Sequence, residues 1–199
     1  MAFIGQITMQ SMYRLLERLS SDCWRWYYSI RYPNLILEPG VLIAGRLKLS
    51  GSVKVAISSG TRIRKRNHIF GEGKVTIGSD CLLNGCSIAC YQQVDIADKC
   101  LISDCYIMDT DYHNVDPETR HELLHKSGIR PVAIGRNVWL AAGARILKGV
   151  TIGENSVVGL DCVVRRNVPA NVVVIGNPEC IVKHLQPQER KAVVSGIQS

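Results

Sequence analysis

The chain has 199 residues, 46% of them hydrophobic and 21% charged, the proportions of one globular domain rather than a disordered segment. Its 24 Lys and Arg exceed its 17 Asp and Glu, for a net charge of +7, which favours anionic partners such as nucleic acid, anionic lipid or a small phosphorylated ligand. No run nears the roughly 18 apolar residues of a membrane-spanning helix. The N-terminus also lacks the compact apolar core of a cleaved secretory signal. The expectation is a soluble, intracellular, cytoplasmic protein.

The predicted elements begin with a helical segment over 1–34. Met12, Leu15, Leu16, Leu19, Cys23, Trp26, Tyr27 and Ile30 follow helical 3/4 spacing, and Pro33 ends the helix. This apolar stripe is expected to cover the open end of the domain that follows. A peripheral membrane contact at the inner face of the membrane is the alternative, suggested by the Trp-Arg-Trp-Tyr-Tyr run.

Beyond it the chain has a period of six. Ile134, Leu140, Ile146, Ile152, Val158 and Val164 recur at that spacing. Two residues before each stands a smaller or β-branched set: Val132, Val138, Ala144, Val150, Ser156 and Cys162. Six suits neither a 3.6-residue helix nor a hairpin alternation. It suits a short strand and a tight turn, repeated, with one aliphatic side chain per unit pointing inward. A unit of that size cannot bury its own apolar face, so successive units must stack into a solenoid.

Upstream the pattern is interrupted. Ile57, Ile63, Ile69 and Val75 keep the spacing, as do Ile77, Leu83 and Ala89, and then Ile96, Ile102 and Met108. The slips between these groups predict bulges or small insertions. Within the solenoid at 35–184, a polar excursion over 109–131 breaks the repeat, and a polar tail occupies 185–199. Chemistry tends to sit on such loops.

The basic residues are scattered, and the Arg62-Ile63-Arg64-Lys65-Arg66 run reads as a solvated surface rather than a nucleic-acid site. The eight cysteines contain no CxxC pair, and five lie between 81 and 105 inside the apolar pattern. Reduced cysteine used as a small hydrophobe is the expected role, without metal.

The segment PVAIGRNVWLAAGARILKGVTIGENSVVGLDCVVRRNVPANVVVIGNPECIVK resembles the hexapeptide-repeat acyltransferases, with the maltose/galactoside and polysaccharide O-acetyltransferases as the nearest branch. The similarity spans about 70–184. It implies an all-β fold, a left-handed parallel β-helix, and homotrimers with active sites between subunits. It further implies acetyl transfer from acetyl-CoA to a sugar hydroxyl.

By the same resemblance His113, in Asp-Thr-Asp-Tyr-His-Asn, is the catalytic base. A hydroxyl attacks a thioester slowly unless a base takes its proton, and neutral imidazole can do so near pH 7. Asp111, Asn84 and Trp139 are matched to acceptor binding. Ala142, Leu160, Arg165, Arg166 and Lys183 are matched to coenzyme A, whose phosphates a basic cluster suits. Where relatives often carry a further acceptor-binding acid, this chain has Ala89-Cys90-Tyr91. The alternatives are N-acetylation of an amino sugar, a zinc lyase on the same solenoid, and a non-catalytic scaffold.

Overall fold

The computed structural model describes residues 9–184; the expected tail at 185–199 lies outside the described residues. One helix, Met9–Arg31, precedes a parallel β-helix. Three sheets form its sides. The first stacks Leu35–Leu37, Lys54–Ile57, Lys74–Ile77, Gln93–Ile96, Val132–Ile134 and Thr151–Ile152. The second runs from Leu42–Ile43 through Leu82–Asn84, Leu101–Ser103, Trp139–Leu140 and Val157–Val158 to Val172–Ile175, and ends with the antiparallel strand Cys180–His184. The third runs from Arg46–Gly51 through Ser87–Cys90 and Tyr106–Met108 to Val163–Val164.

Both sequence columns point inward. Ile134, Leu140, Ile146, Ile152, Val158 and Val164 are fully buried, and so are Val132, Val138, Ala144, Val150, Ser156 and Cys162. The second column has a specific cause at the corners. Where the first sheet turns into the second, each coil places one residue in the left-handed region: Gly40, Gly60, Asp80, Lys99, Asn137, Asn155 and Asn171, at φ between 57° and 87°. The residue after each is wholly buried in the narrow corner: Val41, Thr61, Cys81, Cys100, Val138, Ser156 and Val172. The next corner repeats the device, with Gly85, Asp104, Gly143 and Asp161 left-handed and Cys86, Cys105, Ala144 and Cys162 buried behind them. Five cysteines are therefore corner residues, chosen for size, as the hydrophobe reading predicts.

The early slips in phase are corner insertions and deletions. Register partners are 20 residues apart in the first coils (Leu35 with Val55, Val55 with Val75), 19 at Val75 with Val94, and 18 at Ala133 with Thr151. The extra residues sit where the third sheet turns into the first, around Gly71-Glu72-Gly73. There Gly71 has φ +120°, and a Cβ would lie 2.0 Å from the Cys90 carbonyl oxygen. A residue is missing at the preceding corner, so the third-sheet positions are Ile88 and Ile107, in register with Ile69 and Ile146. Ala89 and Met108, which the six-residue spacing selects, stand one place beyond them.

The helix caps the first coil through two hydroxyls; of the expected stripe, the side chains of Met12, Leu15, Leu16 and Leu19 lie outside the described ones. The outermost coil has amides with no further strand to receive them. Ser21 Oγ accepts from Ile43 N at 3.0 Å and Tyr28 Oη from Leu47 N at 3.0 Å. Ser21 and Tyr28, seven residues apart, are buried, while Cys23, Trp26, Tyr27 and Ile30 are exposed. An open strand edge needs hydrogen-bond partners before it needs apolar cover, and that need turns the aromatic face outward.

Tyr28→Phe leaves a buried amide unpaired and is expected to lower stability by about 1–3 kcal/mol, read as a shift of the urea midpoint. The thiols give a second check. Burial pushes Cys86 and Cys90 up to about 12, the Asp109 carboxylate adding to the effect at Cys90. Only Cys23 and Cys180 of the eight are exposed. Native maleimide labelling at pH 7.5 should therefore count two fast thiols, with the other six appearing on denaturation.

Candidate active site

The excursion leaves the solenoid at the corner that already holds the inserted residues, between the third and first sheets. Asp109 anchors it. Its buried carboxylate accepts from the amides of Tyr91, Gln92 and Gln93 at 2.8, 2.7 and 2.9 Å, which shapes the corner beneath. The carbonyl of Asp109 receives Arg130 N at 2.8 Å, Thr110 bridges Ile129, and Asp111 N reaches the Gly128 carbonyl at 2.9 Å. The loop is thus closed at its base like a hairpin.

Its interior is organised by Asn114, which is buried. Its amide donates to the carbonyls of Thr119 and Leu123 at 2.8 and 3.1 Å, and its Oδ1 accepts from His125 N at 2.8 Å. Tyr112, just before His113, takes a left-handed conformation at φ 65° and donates its amide to Thr110 Oγ1 at 3.0 Å. His113 is exposed beside an open hollow of about 260 Å³ that also has Asp111, Asn114, Asp116, Leu124 and Lys148 on its walls. Asp111 is engaged by the Lys148 ammonium, which also donates to the Ser127 carbonyl at 3.2 Å. Of the two acids flanking the histidine, one holds the turn and the other neutralises a lysine.

Aromatic rings line the outer surface beside the loop. Tyr112 meets Tyr91 edge to face at 6.3 Å and stacks over Phe70 at 6.5 Å, and Phe70 stacks on His68 at 4.8 Å. Burial, then the nearby Tyr91 and Asp109, raises the Tyr112 phenol above its ordinary range. His68 is half-buried and shares a hydrogen bond with Ser50 Oγ at 3.0 Å. Burial and then Lys48 lower its affinity for a proton. His121 and His125 are exposed on the loop, and among the described residues no three His, Cys, Asp or Glu converge on a metal position.

The remaining predicted residues lie elsewhere on the solenoid. Asn84 and Trp139 are on the second sheet, with the strand Leu101–Ser103 between theirs. Trp139 is 48% exposed and Leu160 68% exposed. Ala142 and Leu160 belong to the corner segments that follow the second sheet, stacked in adjacent coils. Arg165 and Lys183 are exposed, whereas Arg166 Nε pairs with Glu179 at 3.0 Å. Burial of the Glu179 carboxyl opposes ionisation, but its own amide and Arg166 outweigh that and hold it below the usual range. One chain therefore presents two groups at different edges: His113 with Asp111 at one corner, and Asn84, Trp139, Ala142 and Leu160 on the second sheet and its following corner. The amide partners of Asp109 and the roles of Asn114 and Lys148 have no signal in the sequence, because the groups they meet are distant backbone groups and a loop acid.

Residues 131–166 match the bacterial transferase hexapeptide family, six repeats. The chain is 29% identical over 205 residues to a Mycobacterium tuberculosis protein named as an acetyltransferase, covering 90% of this chain and 64% of that one. It is 34% identical over 100 residues to galactoside O-acetyltransferase of Escherichia coli K12, covering 49% of this chain and 47% of the relative. Among solved structures, the polySia-specific acetyltransferase NeuO superposes with a TM-score of 0.65 at 25% identity, over 80% of this chain and 76% of that one. The chain thus spans between about half and two thirds of the length of these curated relatives. Residues 131–166 thus carry the hexapeptide repeat, and the fold of the chain is the left-handed parallel β-helix that it shares with the acetyltransferase structure it superposes on.

Asp109→Ala strips the acceptor from three corner amides. It is expected to cost about 3 kcal/mol or more in urea unfolding, and to speed proteolytic cleavage within 109–131 of the otherwise folded chain.

Proposed function

We propose that the protein is an acetyl-CoA-dependent O-acetyltransferase acting on a sugar hydroxyl, of a polysaccharide or its precursor, in the cytoplasm. The observation that carries this reading is His113: an exposed histidine on a loop closed at its root by Asp109, Thr110 and Asp111, on a solenoid of the acyltransferase type. A scaffold alone has no use for such an interruption. The names of the galactoside and polySia relatives support a carbohydrate acceptor.

The separation of the two residue groups supports a homotrimer, since parallel copies can set the His113 corner of one chain against the Trp139 and Leu160 edge of the next. Coenzyme A suits that edge. Exposed Leu160 and Trp139 offer apolar contact to its pantetheine arm, and Arg165 and Lys183, both exposed, offer charge to its phosphates, while Arg166 is shared with Glu179. When bound, acetyl-CoA supplies an acetyl group activated as a thioester.

In this chemistry His113 takes the proton of the acceptor hydroxyl as that oxygen attacks, and the backbone amide near Ala142 stabilises the negative charge that develops. The imidazolium then returns its proton to the leaving group. Asn84 contacts the acceptor. Asp111, held by Lys148, acts by fixing the loop on which His113 sits.

The test is thiol release from acetyl-CoA over a panel of sugars, amino sugars and nucleotide sugars. Acceptor-dependent release with a hydroxyl sugar should fall by about 10²–10⁴-fold in His113→Ala, with the melting temperature unchanged. Release only with amino sugars would replace O- by N-acetylation. Release equal in the variant would remove His113 as the base.

A further inference from the structure

The capping helix turns away from the solenoid a face that nothing among the described residues covers. Trp24, Trp26, Tyr27 and Ile30 are 45%, 70%, 48% and 62% exposed. Trp24 and Tyr27 pack edge to face at 5.7 Å, so the rings form one surface. The position of this face is fixed from behind, because the hydroxyls of Ser21 and Tyr28 are committed to the first coil.

The charge of the molecule is segregated to the same end. Residues 1–77 hold 12 Lys and Arg against 4 Asp and Glu, whereas residues 78–199 hold 12 against 13. The sequence reading of scattered basic residues thus misses a polarity along the solenoid. Arg46, Lys48, Arg62, Arg64 and Arg66 are exposed on the first two coils, and the first of these coils is the one the helix covers.

We propose that this end of the molecule docks on an anionic membrane surface, with the aromatic face of the helix lying in the lipid interface and the basic first coils facing the headgroups. Tryptophan and tyrosine suit that boundary, where one end of the ring is apolar and the other wet. Arginine and lysine beside it are drawn by the negative surface potential. Charge complementarity selects this occupant. In the parallel trimer proposed above the basic ends all point the same way, so one anionic surface meets the charge of every copy, whereas a nucleic acid would leave Ile30 and the indole faces unused. No described helix is long and apolar enough to cross a membrane, so the contact is peripheral.

Co-sedimentation of the full chain with vesicles tests this. One set is phosphatidylcholine alone; the other carries about one phosphatidylglycerol in three lipids. Wild type should partition to the anionic vesicles, with a blue shift of tryptophan emission. Binding should weaken as salt is raised to about 1 M, where the screening length falls to about 3 Å. Trp26→Glu and the double change Arg62→Glu/Arg64→Glu should each weaken it by about tenfold or more. All these side chains are exposed, and unchanged melting and unchanged thiol release without vesicles verify that the variants fold. Equal binding to neutral vesicles, no binding by wild type, or wild-type binding by Trp26→Glu would overturn the proposal. So would light scattering in which Trp26→Glu lowers the molar mass, since the face would then join copies of the chain.

Discussion

Strands of two to six residues cannot stand alone, and every one in this solenoid is that short. What holds them is the ladder of amide-to-carbonyl bonds between equivalent positions in successive coils, such as Leu42 N to Thr61 O, Arg62 N to Cys81 O, Leu82 N to Cys100 O and Leu101 N to Val138 O, all at 2.8–2.9 Å. That ladder works only if every coil turns its corners alike. The seven left-handed residues at the first corner answer this requirement. Glycine meets it without a Cβ, while asparagine adds a stacking interaction: Asn137 Nδ2 donates to Asn155 Oδ1 and Asn155 Nδ2 to Asn171 Oδ1, each at 3.0 Å. The turn residue and the small residue buried behind it are one solution to one constraint.

A corner is also where extra chain can be accommodated without disturbing the ladder. The two inserted residues near Gly71 and the whole of 109–131 leave the solenoid at the same edge, and Val94 still pairs with Val132 across the longer insertion. The antiparallel bridge of Thr110 with Ile129 holds the two ends of the excursion within about one strand spacing, roughly 4.8 Å. Asp109 makes the junction continuous, since one carboxylate binds the backbone of the corner below while its own carbonyl receives the returning chain at Arg130. A functional loop is thus inserted without loss of register.

The fold was legible where the repeat is strict. From 132 to 165 each hexapeptide is one strand and one corner, so a single count reveals both the inward aliphatics and the buried small residues. In the early coils one corner loses a residue while another gains two, and counting by six lands on Ala89 and Met108 instead of Ile88 and Ile107. A linear count has no access to inter-coil pairing. The place of His113 on an exposed loop was legible from the interruption around it. The partners of Asp109, Asn114 and Lys148 were not, because each acts on groups 5–37 residues away in sequence. The orientation of the helix was not legible for a different reason: amphipathicity measures which side chains are apolar, and here Cys23, Trp26, Tyr27 and Ile30 are turned outward.

That reversal follows from the end of the ladder. In the interior of the solenoid a coil has neighbours on both sides, but on the outermost coil the amides that point away from the next one, Ile43 N and Leu47 N among them, have no strand to receive them, and an unpaired buried amide costs more than an exposed indole. A helix laid across this end must therefore spend its contact face on acceptors. Ser21 and Tyr28 meet that demand at positions spaced by two helical turns, and Trp26, Tyr27 and Ile30 are left turned away by the same 3.6-residue period that brings the hydroxyls inward. The requirement that organises the core thus also determines which surface the molecule shows at its basic end.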